Sequence, residues 1–195
     1  MISSVNSDQH QILRDINKLH LEGEWIQVDA CYGNGSFYNR SDIPKPQFCF
    51  DLDPKFPFVQ KLDCTDMDGW FEANEIRSII FDPPFLQTTG AGSIIKNRFG
   101  SYPSMTELWD MYRRSLSAFH HVLRTKGVLI VKMQNTVMGG KQWWSVDLIN
   151  TIAHDLHFYK KDELILAATN RLPLQANQTQ KHARKFHSYF LVFEK

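Results

Sequence analysis

What this chain has little of narrows its chemistry first. Cysteine occurs three times, at Cys31, Cys49 and Cys64, with no Cys-x-x-Cys spacing. An odd, unpaired set argues against both a disulfide framework and a structural zinc site. Net charge is close to absent, +1 over 195 residues, so any contact with a polyanion must come from a local patch rather than a global field. No apolar run is long enough to span a bilayer, and residues 1–17 are too polar for a signal peptide, which predicts a cytoplasmic protein with no membrane partner. The histidines are scattered; His120 and His121 are neighbours on a predicted helix, where successive side chains point about 100° apart, and no metal site is expected. No repeat or linker is visible, and 43% hydrophobic content is enough for one domain over residues 1–195 with a full central sheet.

What is present begins with Ile79-Ile80-Phe81-Asp82-Pro83-Pro84-Phe85, an apolar strand that runs into an acid, two prolines and an aromatic ring. Pro84 fixes its own φ and biases Pro83 to an extended conformation, so the turn after Asp82 is rigid and cannot continue as helix. The exocyclic amine of adenine or cytosine is a poor nucleophile because its lone pair is delocalised into the ring. A carboxylate from Asp82 and a carbonyl from Pro83 suit its two hydrogens, and Phe85 suits the face of the base. An ordinary proline turn after a strand remains the plain alternative for this stretch alone.

Upstream, Trp25-Ile26-Gln27-Val28-Asp29 is a short apolar strand ending in acid, followed by Cys31 and the turn Gly33-Asn34-Gly35. A Gly-x-Gly turn lets backbone approach a ligand closely, as a nucleoside cofactor requires. The dinucleotide fingerprint needs a third glycine three residues after the second, and Tyr38 stands there, which disfavours a pyrophosphate and with it a Rossmann oxidoreductase. About twenty residues on, Gln47-Phe48-Cys49-Phe50-Asp51-Leu52-Asp53 reads as a second strand ending in acid, with Asp51 or Asp53 placed to hold a ribose diol. Asp63, beside Cys64, stands at the end of a third short strand, where a carboxylate would reach an adenine amino group. Cys31 and Cys49 read as buried strand-end residues, and Cys31 and Cys64 fall among the cofactor-pocket candidates.

In this order and spacing, the motifs resemble those of the class I S-adenosylmethionine-dependent methyltransferases, over residues 25–195. Asp82-Pro83-Pro84-Phe85 is similar to the tetrapeptide of the subset that methylates N6 of adenine or N4 of cytosine, chiefly in DNA. Three further stretches, around Phe99-Gly100, Val131-Lys132-Met133-Gln134 and His182-Ala183-Arg184-Lys185-Phe186-His187-Ser188-Tyr189, resemble small stand-alone bacterial or phage DNA methylases. The resemblance implies S-adenosylmethionine as cofactor, a nucleic-acid substrate, most often DNA, and a bacterial or phage-infected cell as the setting. RNA stays open as a substrate, because no segment is long enough for a separate target-recognition domain. A nucleic-acid-binding pseudoenzyme is the other alternative, opposed by the intact Gly-x-Gly and Asp-Pro-Pro-Phe stretches.

The remaining elements complete an α/β reading. An amphipathic helix is predicted over 9–21, strands over 25–29, 47–51, 60–64 and 76–81, and a helix over 106–124 closed by Arg124-Thr125-Lys126-Gly127. Then come a strand over 128–133, a helix over 145–157, and strands over 162–168 and 188–194. That succession predicts a doubly wound, mostly parallel seven-stranded sheet with an antiparallel last strand. The polar, Gly-rich stretch 86–104 reads as a mobile loop that closes over substrate. Lys132 interrupts an apolar strand and is a candidate for the functional end of the sheet. Lys181, Arg184, Lys185, His187 and Tyr189 lie in the densest basic region, which also holds Arg171 and would contact phosphates. Of the adjacent Trp143 and Trp144, one is expected to pack inward and the other to stack on a base.

Overall fold

The computed structural model describes residues 1–86, 102, 104–168, 181–183 and 185–195. Ten strands and three α-helices are found among them: β1 Val5–Asn6, α1 Gln9–His20, β2 Val28–Asp29, β3 Phe48–Asp51, β4 Gln60–Lys61, β5 Ile76–Phe81, α2 Met105–Val122, β6 Leu123–Met133, β7 Thr136–Met138, β8 Lys141–Trp143, α3 Ser145–Asp155, β9 Tyr159–Leu166 and β10 Ser188–Glu194.

Eight strands form one sheet in the order β1-β9-β10-β6-β5-β2-β3-β4. The pairings β2 with β3, β2 with β5, β3 with β4 and β5 with β6 are parallel, whereas β10 runs antiparallel to both β6 and β9. Seven of these strands are the expected sheet with its antiparallel last strand; β1, parallel to β9 at the edge, is an addition that two residues were too few to signal. From β2 the chain moves outward through β3 and β4, then returns to the other side of β2 for β5 and β6. The carboxyl ends of β2 and β5 therefore form the switch point at which a doubly wound sheet opens a crevice.

The sheet is covered on both faces, and the pleat decides which residue serves which layer. Ile79, Phe81, Leu129, Val131, Leu191 and Phe193 pack with Met111, Tyr112, Leu116 and Phe119 of α2 and Ile149 and Ile152 of α3. Ile80, Val128, Ile130, Phe190 and Val192 point the other way, onto Ile12, Leu13 and Ile16 of α1. Each such side chain contributes about 1.5–3 kcal/mol by leaving water, which is why these central strands read as continuous apolar runs.

Three departures from the sequence reading have local causes. Arg124-Thr125-Lys126-Gly127 does not close a helix: α2 ends at Val122, and Leu123 already pairs with Ile76 before a register shift at Ile76/Ser78. The Lys126 N–H donates to Lys195 O at 2.8 Å, so tertiary pairing claims a stretch whose composition suits a helix end. The β7–β8 hairpin was not foreseen; it turns through Gly139 and Gly140, both at positive φ (59° and 71°), the conformation a two-residue hairpin loop requires. On α1, Leu19, which the helical spacing groups with Ile12, Leu13 and Ile16 in the apolar stripe, is 48% exposed and so lies off the buried face. Among the described residues, no helix is long and apolar enough to cross a membrane.

Candidate functional site

The crevice at the carboxyl ends of β2 and β5 is built by four short stretches. After β2, Gly33 and Gly35 take positive φ (58° and 69°), and the Gly35 N–H donates to Tyr32 O at 2.9 Å. A β-carbon on Gly35 would lie 2.7 Å from the Tyr32 hydroxyl oxygen, so this position admits glycine for two reasons. The turn is tied to β3 by its neighbours: the Gly33 N–H donates to Asp51 Oδ2 at 2.7 Å and the Tyr32 N–H to Phe50 O at 2.9 Å. A second backbone donor, Asp53 N–H, reaches Asp51 Oδ1 at 2.8 Å. Each Asp51 oxygen thus spends one acceptor site on the backbone, and a carboxylate has about four. Asp63 caps the 3-10 segment Cys64–Gly69, with Oδ1 accepting both the Thr65 N–H (2.9 Å) and its hydroxyl (2.8 Å).

Two hollows meet at Cys31. Ala30, Cys31, Asp51, Leu52, Asp53, Leu62, Asp63, Cys64, Pro84, Tyr102 and Met111 line the narrower one. The wider, about 210 Å³, is lined by Cys31, Tyr32, Gly33, Asn34, Ser36, Phe37, Lys55, Asp82, Phe85 and Lys132. The predicted cofactor stretches and the Asp-Pro-Pro-Phe stretch therefore share one crevice. Asp29, sealed beneath the turn at 1% exposure, lines neither hollow, and neither do the buried Gly35 and Pro83.

The Asp-Pro-Pro turn is held from below. Pro83 and Pro84 are buried, and the Tyr112 hydroxyl, within the core on α2, donates to Pro84 O at 2.6 Å. Asp82 follows the last residue of β5 and meets Lys132 of β6, whose Nζ lies 3.2 Å from Asp82 Oδ2; the two side chains are only 18% and 13% exposed. The ammonium also sits 4.9 Å from the Phe37 ring centroid, an attractive placement for a partly desolvated cation. Two residues singled out separately in the sequence thus form one ion pair.

Burial governs the protonation of this floor. Asp29 accepts the Tyr38 hydroxyl at 2.8 Å and the Cys31 N–H at 3.0 Å. Loss of water nonetheless pushes its carboxyl up to about 7, with the negative charges of Asp82 and Asp51 adding to the rise and the two hydrogen bonds opposing it. The Cys31 thiol is held well above its ordinary value, first by its hydrogen bond with the Cys64 thiol and then by burial. A thiol so placed is no nucleophile.

The basic region lies around the same end of the sheet, because β10 starts beside the end of β6, with Tyr189 opposite Met133. Lys181 and His187 are exposed and Lys185 half-buried; Gln134 Nε2 donates to Lys185 O at 3.2 Å. Arg184 and Arg171 lie outside the described residues, as does most of the predicted loop 86–104. Tyr32, Phe37, Lys55, Tyr102 and Tyr112 were not singled out in the sequence. Tyr112 has the helical spacing of an ordinary core residue, and nothing in the chain signals that its hydroxyl reaches the Pro84 carbonyl.

No family model and no curated protein matches this sequence, whereas many solved structures resemble its fold. One is the Burkholderia thailandensis 1,6-didemethyltoxoflavin-N1-methyltransferase, with bound 1,6-didemethyltoxoflavin and S-adenosylhomocysteine, at 12% identity over 97% of this chain and 79% of that one, TM-score 0.58. TrmN from Thermus thermophilus matches at 12% identity over 95% of this chain and 48% of its own, TM-score 0.57. The PvuII DNA methyltransferase, cytosine-N4-specific, matches at 14% identity over 68% of this chain and 47% of its own, TM-score 0.51. The chain spans about half the length of several of these proteins. With the strand order, the reversed strand and the crevice at its switch point, these likenesses show that the chain has the class I methyltransferase fold.

Proposed function

We propose that the protein is an S-adenosylmethionine-dependent methyltransferase acting on the exocyclic amine of a nucleic-acid base, N6 of adenine or N4 of cytosine, in DNA. One observation carries this reading: Asp82 and Phe85 line the same hollow as Gly33 and Asn34. A planar amine placed there would face both an acceptor carboxylate and the turn suited to a nucleoside cofactor.

The donor set fits that cofactor. Asp51 and Asp53 suit the ribose diol and Asp63 the adenine amine, with Cys31 and Cys64 between them, while Gly33, Asn34 and Gly35 admit the sulfur end close to the backbone; Asp29 supports this turn from beneath. S-adenosylmethionine supplies an electrophilic methyl group on a sulfonium and leaves as a neutral thioether. Asp82 accepts a hydrogen bond from the target amine and draws its nitrogen toward tetrahedral geometry. The Pro83 carbonyl takes the second hydrogen, and Pro84, pinned by Tyr112, keeps that turn in register. Phe85 offers its ring to the base. Lys132 holds Asp82 in position, so alignment precedes reaction. The proton lost from the amine passes to Asp82 or to water. Lys181, Arg184, Lys185, His187 and Tyr189 would take the phosphates and sugars of the strand.

The test is transfer of radiolabelled methyl from S-adenosylmethionine to duplex DNA, single-stranded DNA, RNA and protein in parallel, with nucleoside analysis of the product. N6-methyladenine or N4-methylcytosine in DNA is the expected result, and Asp82→Ala should lower transfer by roughly 100-fold or more while still binding cofactor. Label in RNA alone would keep the chemistry and remove DNA as substrate. Absence of both label and cofactor binding would sink the catalytic reading in favour of a pseudoenzyme.

A further inference from the structure

The β7–β8 hairpin and the residues His182 and Lys185 are far apart in sequence and meet at the carboxyl end of β6. His182 Nε2 lies 2.8 Å from Gly140 O, and Gln134 binds the Lys185 carbonyl. Gln134 is two residues beyond Lys132, whose ammonium touches Asp82. The meeting point is therefore tied by a short run of chain to the reacting end of the crevice.

Two indole–ammonium pairs involve consecutive residues there. Trp143 is half-buried, edge-on to Trp109 at 5.4 Å between ring centroids, with Lys141 Nζ 4.7 Å from its ring. Trp144 is 45% exposed, and Lys185 Nζ lies 4.8 Å from its ring. A single exposed tryptophan needs no explanation. A solvent-facing indole carrying a cation, one residue from a second such pair, is a different case. An ammonium on an exposed ring is held weakly and can be ceded to a stronger anion. The indole face it vacates is the surface on which an unstacked base settles.

We propose that Trp144 and Lys185 form the docking point for an unpaired nucleotide neighbouring the target base, so that the substrate is a single strand or a locally opened duplex. Trp144 takes the face of the base, and Lys185 takes the adjoining phosphate. Intact duplex fits poorly, because its base faces are already covered by stacking. This inference rests on the nucleic-acid methyltransferase reading and selects the form of substrate within it.

The test is binding of fluorescein-labelled twelve-nucleotide single strands and the corresponding duplexes, in DNA and RNA, followed by anisotropy across salt concentrations. The wild-type protein should prefer the single strand. Trp144→Ala should weaken single-strand binding about 5- to 150-fold, the range for loss of one stacked base, and Trp144→Phe should recover most of it. Lys185→Ala should flatten the slope of log K against log salt by about 0.7, one phosphate contact on a single strand. Each variant should keep the thermal midpoint and cofactor affinity of the wild type. Equal affinity for duplex, or Trp144→Ala binding single strands within twofold of wild type, would overturn the inference and leave the methyltransferase reading intact. Failure of the wild type to bind or methylate any nucleic acid would remove both.

Discussion

Asp29 offers a quantitative check on the physics of the crevice floor. Its carboxyl has a folded value of about 7 against 3.8 for the free side chain, so the native state binds that proton more tightly than the unfolded chain. Stability from this group is therefore greatest below about pH 4, is lost as pH rises toward 7, and is flat above. At about 1.36 kcal/mol per unit, the full difference of roughly three units is worth about 4 kcal/mol, of which about 3 kcal/mol falls between pH 5 and pH 8. Asp29→Asn removes the titration and keeps the shape. Its amide oxygen can accept the Cys31 N–H, and its NH2 can donate to the Tyr38 hydroxyl, which turns from donor to acceptor. The two chains should match only below about pH 4, where the carboxyl is protonated folded or unfolded; at pH 5 the variant should already be ahead by about 1–2 kcal/mol, and by pH 8 the gap should widen by about a further 5–10 °C in thermal midpoint for a domain of this size. Scanning calorimetry of both chains from pH 5 to 8.5 reads the difference, in which all other titrating groups cancel. Parallel curves with no pH-dependent gap would mean that Asp29 stays ionised in the folded protein, and the argument from burial would fail.

Two further substitutions probe how the crevice is held. Tyr112→Phe removes the 2.6 Å bond to Pro84 O and leaves a buried carbonyl unpaired, so it should cost about 1–3 kcal/mol in urea unfolding and lower methyl transfer more than cofactor affinity; an unchanged urea midpoint would show that the bond stabilises nothing. Gly35→Ala combines a left-handed backbone with a contact 2.7 Å from the Tyr32 hydroxyl. Strain of about 1–2 kcal/mol, plus displacement of the Tyr32 ring that stacks on Tyr38, should weaken cofactor binding about tenfold or more by titration calorimetry, and wild-type affinity would contradict this account of the turn.

What could be read from the chain follows what a local pattern can carry. Strands β5 and β10 match their predicted bounds because Ile76–Phe81 and Ser188–Glu194 are apolar runs with one possible fate in a buried sheet. The second predicted strand shrank at one end and the third to Gln60–Lys61, since alternation says little about where hydrogen-bonded pairing stops. The Gly139-Gly140 turn was present in the sequence, but the strands it joins are three residues each, too short to show a period. The contact between Asp82 and Lys132 joins adjacent parallel strands 50 positions apart, and no single-chain periodicity encodes such a pairing. Asp29 looked like a ligand-facing acid of the Gly-x-Gly turn; Tyr38, the residue that breaks the dinucleotide pattern, proves to be its hydrogen-bond donor. The same side chain that argued against pyrophosphate also secures the turn.

The placement of β10 between β6 and β9 has a consequence for how the chain reaches this fold. Both partners are laid down before it, and each must wait with an unsatisfied ladder until residues 188–194 arrive. Phe190, Leu191, Val192 and Phe193 are almost fully buried, so the last strand in sequence occupies an interior position in the sheet. During synthesis the half-made protein therefore carries two open strand edges, the apolar one of β6 and the mixed, partly charged one of β9, and an unpaired edge is what pairs with other chains. A change that delays or destabilises β10 should send the protein toward aggregates at its birth, even where the crevice 50 or more residues upstream is untouched.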